Sequence, residues 1–306
     1  MNSRLLDYLA DPNDGGALER HTFGGDQKET WEGVLLNPQT GRWYPIRDGI
    51  PSLFIDALRE GDAAFIARHG EAMRAAGCRF SETDATATLA TEDAGPRDLT
   101  RIADERKARD EQAEDYDRML SLKVYEHLEA PAYRRALGED QSAVLLEAGC
   151  GTGRFTGLFA EMSREVIAVD MSRDSILRNR VRHVGKTVAP VHYVHADLTH
   201  LPLRDGVVGR IAHCGVYEHI PSRELRQQFL QHAHRTLQSD GLLLLSAYRY
   251  GGITRLFGKE GEHAGGIPFT RFTEEELRAE VEPYFTIEKF RPNLGIYMSM
   301  LVAKPK

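Results

Sequence analysis

Cysteine is scarce: the chain has three in 306 residues, Cys78, Cys150 and Cys214, none at the spacing of a metal or redox pair. That excludes a disulfide-stapled scaffold and a thiolate metal site, and makes the reduced cytoplasm the expected location. Apolar runs are short, so no bilayer-spanning segment is expected. The first residues also lack the basic-then-apolar order of a secretory leader. Positive charge is in deficit, with 39 Lys and Arg against 46 Asp and Glu and a net charge of −7, which argues against a broad nucleic-acid surface. No internal repeat is evident. What remains is the 41% hydrophobic content of a globular chain, long enough for one large domain and one small one.

The chain is organised around Val144-Leu145-Leu146-Glu147-Ala148-Gly149-Cys150-Gly151-Thr152-Gly153-Arg154-Phe155. The apolar triplet reads as a short strand buried on both faces. Glycines at alternate positions then turn the chain into a helix, and glycine suits such a turn because it tolerates φ > 0 and lets backbone approach a ligand. The dinucleotide fingerprint fails here, since its third glycine would fall at Arg154, and no Gly-Lys-Ser/Thr follows to make a P-loop. Glu147 can accept from an ammonium group, which suits an amino-acid-bearing ligand better than a pyrophosphate. A second buried strand, Glu165 to Val169, ends in Asp170, 17 residues past Gly153, where doubly wound folds place the acid that holds ribose hydroxyls. A third, Val191 to His195, leads to Ala196-Asp197-Leu198. Ile211 to Ile220 and Leu237 to Ser246 follow as further strands.

This series resembles the class I S-adenosylmethionine-dependent methyltransferases over about residues 100 to 306. The resemblance implies an α/β fold, a Rossmann-like doubly wound seven-stranded sheet with an antiparallel last strand. It implies S-adenosylmethionine as cofactor, with Glu147 and the Gly149–Gly151–Gly153 loop at its methionine end. Asp170 would bind the ribose, Met171 would pack on the adenine, and Asp197 would accept from the adenine amino group with Leu198 beside it. Cys150 and Cys214 fall within the cofactor motifs. Ala113-Glu114-Asp115-Tyr116-Asp117 matches a pattern of leading helices that lie over the cofactor in this family, which puts Tyr116 at the site or makes it a packing residue of its helix.

Residues 1–55 read as a separate small α+β unit. Leu5 to Ala10 and Gly41 to Pro51 resemble the zinc-ribbon-type domain that activates tRNA methyltransferases. The four ligand positions of that family fall here on Asp11, Asp14, Asn37 and Thr40. Structural zinc wants thiolate or imidazole, so the ribbon is expected to keep its fold without metal. Its charge also disfavours RNA. Strands are expected at 31–36 and 42–46, a helix and flexible linker over 56–100 with a stop at Gly77, and a helix from Leu122 to Leu137 broken near Pro131. The large domain would run from 101 to 306. Thr273 and Glu276 form a capping-box pattern, and 285–290 with 297–303 should close the fold as a hairpin. Residues 248–270 read as a glycine-rich cover over the acceptor.

Methyl transfer from a sulfonium is an in-line displacement that needs alignment, desolvation and, for some acceptors, loss of a proton, but no metal. His219 and His263 are the candidate bases, with Tyr250 a third. Tyr116, Tyr248 and Tyr250 offer aromatic faces to a flat, largely apolar acceptor. Three functions stay open: methylation of a small molecule at O, N or C, RNA modification, and a non-methylating use of the same fold. Homo-oligomer formation is left open.

Overall fold

The first fifty residues form an antiparallel sheet in the computed structural model, which describes residues 1–26, 28–59, 61–80, 96–116, 120–263, 266–293 and 297–306. Its strands are β1 (Glu19–Gly25), β2 (Thr30–Leu36), β3 (Trp43–Arg47) and β4 (Ile50–Pro51), in that order. β3 and β4 are joined by the two-residue turn Asp48-Gly49, with φ of 52° and 74°. A two-residue hairpin turn of this hand suits the twist of the strands, and Asp-Gly is among the pairs that tolerate it. The helix expected after residue 56 is α1 (Ala63–Ala76), capped by Gly77 at φ 99°.

Asp11, Asp14 and Asn37, three of the positions where the resemblance would place metal ligands, join a polar clasp. Arg42 Nη1 donates to Asp11 Oδ2 at 3.1 Å and Asp14 Oδ2 at 3.0 Å. Asn37 Nδ2 donates to both carboxylates, and the Tyr44 hydroxyl donates to Asp11 Oδ1 at 2.5 Å. A guanidinium thus sits among the side chains where the resemblance expects a cation.

The linker expected up to residue 100 lies in part outside the described residues; from Pro96 the chain is already helical in α2 (Pro96–Tyr116). α3 (Leu120–Leu137) runs through Pro131 without the expected break. Pro131 and His127, one turn before it, are both exposed, on the side of the helix away from the buried Glu129 and Tyr133.

Then come β5 (Asp140–Ala148), α4 (Thr156–Met162), β6 (Ser163–Asp170), α5 (Arg173–His183), β7 (Val191–His195), β8 (Val208–Cys214), α6 (Arg223–Thr236) and β9 (Leu237–Tyr248). After β9 comes a short hairpin, β10 (Glu260–His263) with β11 (Ile267–Thr270). After α7 (Glu274–Val281), β12 (Phe285–Asn293) and β13 (Met298–Pro305) complete the chain. Thr273 and Glu276 make the reciprocal capping-box bonds at the start of α7.

The large sheet has the order β12-β13-β9-β8-β5-β6-β7. The pairs β7–β6, β6–β5, β5–β8 and β8–β9 are parallel, while β13 runs antiparallel to both neighbours. This is the expected Rossmann-like sheet with its antiparallel last strand. β5 and β6 are apolar runs because helices cover both faces. From β5 the chain winds first to one side and then to the other. The crevice at the carboxyl ends of β5 and β8 is where such sheets hold ligands.

The N-terminal sheet is seated on the β7 edge. Ser52 bridges His195 in parallel, Leu53 N donates to His195 O at 2.8 Å, and Leu9 bridges Leu203. Leu5, Leu9, Ile46 and Leu53 pack in one apolar core with Ile167 and Val194 of the large sheet and Leu201 of the β7–β8 connection.

Candidate functional site

β5 carries Glu147 to the sheet's carboxyl edge, and the chain must then turn at once. Gly149, Gly151 and Gly153 all take positive φ, at 83°, 49° and 89°. Their reasons differ. A Cβ at Gly149 would lie 2.6 Å from Val216 Cγ2, and one at Gly153 would lie 2.5 Å from Asn179 Oδ1. A Cβ at Gly151 would meet nothing within 4 Å, because that glycine borders open space. The turn is locked to the next strand: Gly151 N donates to Asp170 Oδ2 at 2.7 Å, and Ser172 N donates to Asp170 Oδ1 at 2.9 Å.

The open space is a cleft of about 1160 Å³. It is lined by Glu147, Gly149 to Thr152, Asp170, Met171, Asp197, Leu198, Cys214 to Val216 and His219. Ile102, Glu105 and Arg109 of α2 roof it. Four carboxylates, Glu105, Glu147, Asp170 and Asp197, stand in the walls. Burial pushes Glu147 up to about 8, against the hydrogen bond it accepts from Thr156 Oγ1 at 2.6 Å. Asp170 is raised by burial too, opposed by the two backbone amides. Burial brings Glu105 to about 7, opposed by Arg109 at 3.4 Å. Asp197 goes the other way. Burial alone would raise it, but bonds from His200 and Thr199 outweigh that and lower it. Asp197 is also the N-cap of the short 3-10 turn Leu198–His200, so part of its accepting capacity is used internally.

A second group of side chains stands at the far end of β8 and β9. His219, in the 3-10 turn Tyr217–His219, lines the cleft, and its Nδ1 lies 3.0 Å from Pro268 O of β11. A carbonyl can only accept, so Nδ1 carries the proton and Nε2 keeps its lone pair. Burial, and after it the charge of Arg109, hold this imidazole well below its ordinary pKa, so it stays neutral. His263 of β10 sits with its ring 5.3 Å from that of His219, and the Tyr248 hydroxyl is 3.4 Å from His263 Nε2. Phe269 closes the cluster against both Tyr248 and His263.

The chain therefore brings Glu147, Gly149, Cys150, Gly151, Asp170, Met171, Asp197, Leu198, Cys214 and His219 to one cleft, while Gly153 shapes the turn behind it. Tyr248 and His263 gather beside His219. Tyr250 N donates to Phe272 O, but the residue is not among those lining the cleft. Tyr116 ends α2, and its side chain lies outside the described residues. Arg109, Glu105, Gly215 and Val216 were not foreseen from the sequence. Arg109 and Glu105 lie in a helix so rich in charge that its inward face leaves no apolar stripe to read. Glu218 was missed as well. It is 2% exposed, neither carboxylate oxygen has a hydrogen-bond partner, and burial brings it to about 8.

Among the described residues, no group of three or more His, Cys, Asp or Glu could hold a metal ion, and no helix is long and apolar enough to cross a membrane.

The profile of the family described as "Methyltransferase domain" matches residues 146–245. A "Probable S-adenosylmethionine-dependent methyltransferase" of Mycobacterium tuberculosis is 33% identical over 114 residues, 37% of this chain and 39% of that protein. A malonyl-[acyl-carrier protein] O-methyltransferase of Pseudescherichia vulneris is 26% identical over 162 residues, 52% of this chain and 59% of its own. The match to the first of these relatives thus spans about two fifths of its length. Among solved structures, a Burkholderia thailandensis 1,6-didemethyltoxoflavin-N1-methyltransferase with bound S-adenosylhomocysteine superposes with a TM-score of 0.56. It covers 72% of this chain and 94% of that one at 20% identity, which is a likeness of fold.

Proposed function

We propose that this chain is an S-adenosylmethionine-dependent methyltransferase acting on a small, flat acceptor. The observation that carries the reading is the convergence of Glu147, Asp170 and the open face of Gly151 on one cleft at the switch point of the sheet. The residues fit such a cofactor. Glu147 would offer a carboxylate to the α-ammonium, Gly151 would leave room where a side chain would collide with the ligand, and Asp170 would hold the ribose hydroxyls. Met171 and Leu198 would pack on the adenine, and Asp197 would accept from its amino group. When bound, the cofactor supplies a methyl group already activated on a sulfonium.

The chain's own residues do the rest. The carboxylates of the cleft offset the ligand's cationic charge, and α2 excludes water from above. His219 Nε2 is an unprotonated base on a ring held by Pro268 O, placed to take a proton from an acceptor hydroxyl or amine. Tyr248, His263 and Phe269 form an aromatic cluster with little charge beside His219, a surrounding that suits a ring better than a polynucleotide. His263 can serve as an alternative base, since burial followed by Arg109 lowers its pKa also.

The test pairs methyl transfer with binding on one variant. His219→Ala should lower turnover of a phenolic or aromatic-amine acceptor by about 10²-fold while affinity for S-adenosylhomocysteine stays near normal. Near-normal turnover would remove His219 as the base. Absence of S-adenosylhomocysteine binding by the unaltered protein would end the methyltransferase reading. Tight, salt-sensitive retention of total tRNA would put RNA modification in its place.

A further inference from the structure

The adenosine side of the cleft is held from outside the large sheet. Met171 lies between Asp170 and α5, and its carbonyl accepts from His195 Nε2 at 3.0 Å. Because a carbonyl cannot donate, Nε2 carries the proton and Nδ1 is left as an acceptor. Among the described residues the donor placed for it is the Ser52 hydroxyl of the N-terminal unit, 2.9 Å away. Burial holds His195 down to about 3, so the ring stays neutral and the relay Ser52 to His195 to Met171 runs in one direction at any physiological pH. Phe54 packs edge-on against the same imidazole at 4.7 Å.

The other flank of Met171 is clasped from the same unit. Asp48, at the tip of the β3–β4 turn, accepts through its carboxylate from Arg173 Nη2 at 2.7 Å, and its carbonyl accepts from Arg180 Nη1. Arg47 O also accepts from Arg173 Nη2 at 3.3 Å. Arg173 and Arg180 belong to α5, whose first residue is Arg173. The roof is tied down similarly, since Arg106 of α2 lies over the Phe54 ring at 5.1 Å and donates to Leu58 O at 3.1 Å.

We infer that the N-terminal sheet is a working part of the cofactor site: Ser52, acting through His195, is a positioning residue for the Met171 wall that receives the adenosine. This rests on the methyltransferase reading above. The acid of the site, Asp170, is anchored by the amides of Gly151 and Ser172, whereas the His195 ring that holds Met171 is itself held by the N-terminal unit. The two walls are therefore separable by mutation. Ser52 touches no ligand, so its removal changes only the freedom of the His195 ring and of the carbonyl it holds.

Calorimetry on the full chain with two probes tests this. S-adenosylhomocysteine fills the whole cleft, while 5′-methylthioadenosine carries only the adenosine half. Ser52→Ala should weaken both by the same factor, about five- to tenfold, the size expected for one hydrogen bond in a relay. Its melting temperature should stay within about 2 °C of the unaltered protein. Ser52→Thr, which keeps the hydroxyl, should restore both affinities. Unchanged affinities in Ser52→Ala would overturn the inference, and so would a loss confined to S-adenosylhomocysteine. Failure of the unaltered protein to bind either probe is a different result, which overturns the cofactor reading itself.

Discussion

Glu147 spends its time as a carboxylic acid while the cleft is empty, because burial pushes it up to about 8. Its folded value lies above the ordinary value of 4.5. The stability tied to its proton is therefore complete below that ordinary value and is lost as pH rises through about 8. An ammonium group set against it favours the charged form and drives the proton off. Binding of S-adenosylhomocysteine at pH 6.5 should release close to one proton, measured as a dependence of the binding enthalpy on the ionisation enthalpy of the buffer. Glu147→Gln should abolish most of that release and bind more weakly. A wild-type release unchanged in the variant would shift the linkage to Glu105, brought by burial to about 7 on the opposite wall.

Among elements, the clasp of Asp11, Asp14, Asn37, Arg42 and Tyr44 ties the turns before β1 and β3 together through side-chain hydrogen bonds. Arg42 is the cation of this knuckle, its side chain 23% exposed, while that of Asp11 is fully buried. Arg42→Ala would leave Asp11 with neutral donors only and should cost about 2 kcal/mol of stability in denaturant unfolding. Added zinc should not recover it, and elemental analysis of the unaltered protein should find no stoichiometric zinc. Elements of this chain were legible where one periodicity dominates. β5 and β6 show as continuous apolar runs, and α7 shows by its capping box. β1 did not show: Glu19-Arg20-His21-Thr22-Phe23-Gly24-Gly25 has no fully buried residue, so no alternation is imposed on it. β10 was hidden for the same reason, with Glu260 and Glu262 exposed and no residue of the strand fully buried. The residues that β5, β6 and β7 bring to the cleft could be picked out because they are consecutive in short motifs. The roof residues Glu105 and Arg109 could not, since nothing local distinguishes an inward charge from a solvated one.

For the molecule as a whole, the decisive contacts pair residues far apart in sequence. Leu9 meets Leu203, Tyr8 O accepts from Arg204 N, and the Tyr8 hydroxyl donates to Glu165 Oε2 at 3.3 Å. No local pattern announces such pairings, so the sequence shows two units without showing the apolar core they share. With that core continuous, residues 1–55 and the large sheet should unfold together. Scanning calorimetry should give one transition, with a van't Hoff enthalpy close to the calorimetric one. Two resolved transitions would show the sheets to be independent.

The seating of the N-terminal sheet on β7 has one more consequence, for how the molecule avoids sticking to itself. An open sheet presents unpaired amides and carbonyls along both outer strands, and these invite pairing with another chain. Here the bridge from Ser52 to His195 occupies the carboxyl end of one such border. The other border is β12, which is irregular between Ile287 and Lys289, carries Glu288, Lys289 and Arg291, and ends at Pro292 and Asn293. A bulge, charges and a proline are poor templates for strand addition. Any stable association between copies is therefore expected to use helix or loop surfaces rather than an extension of the sheet.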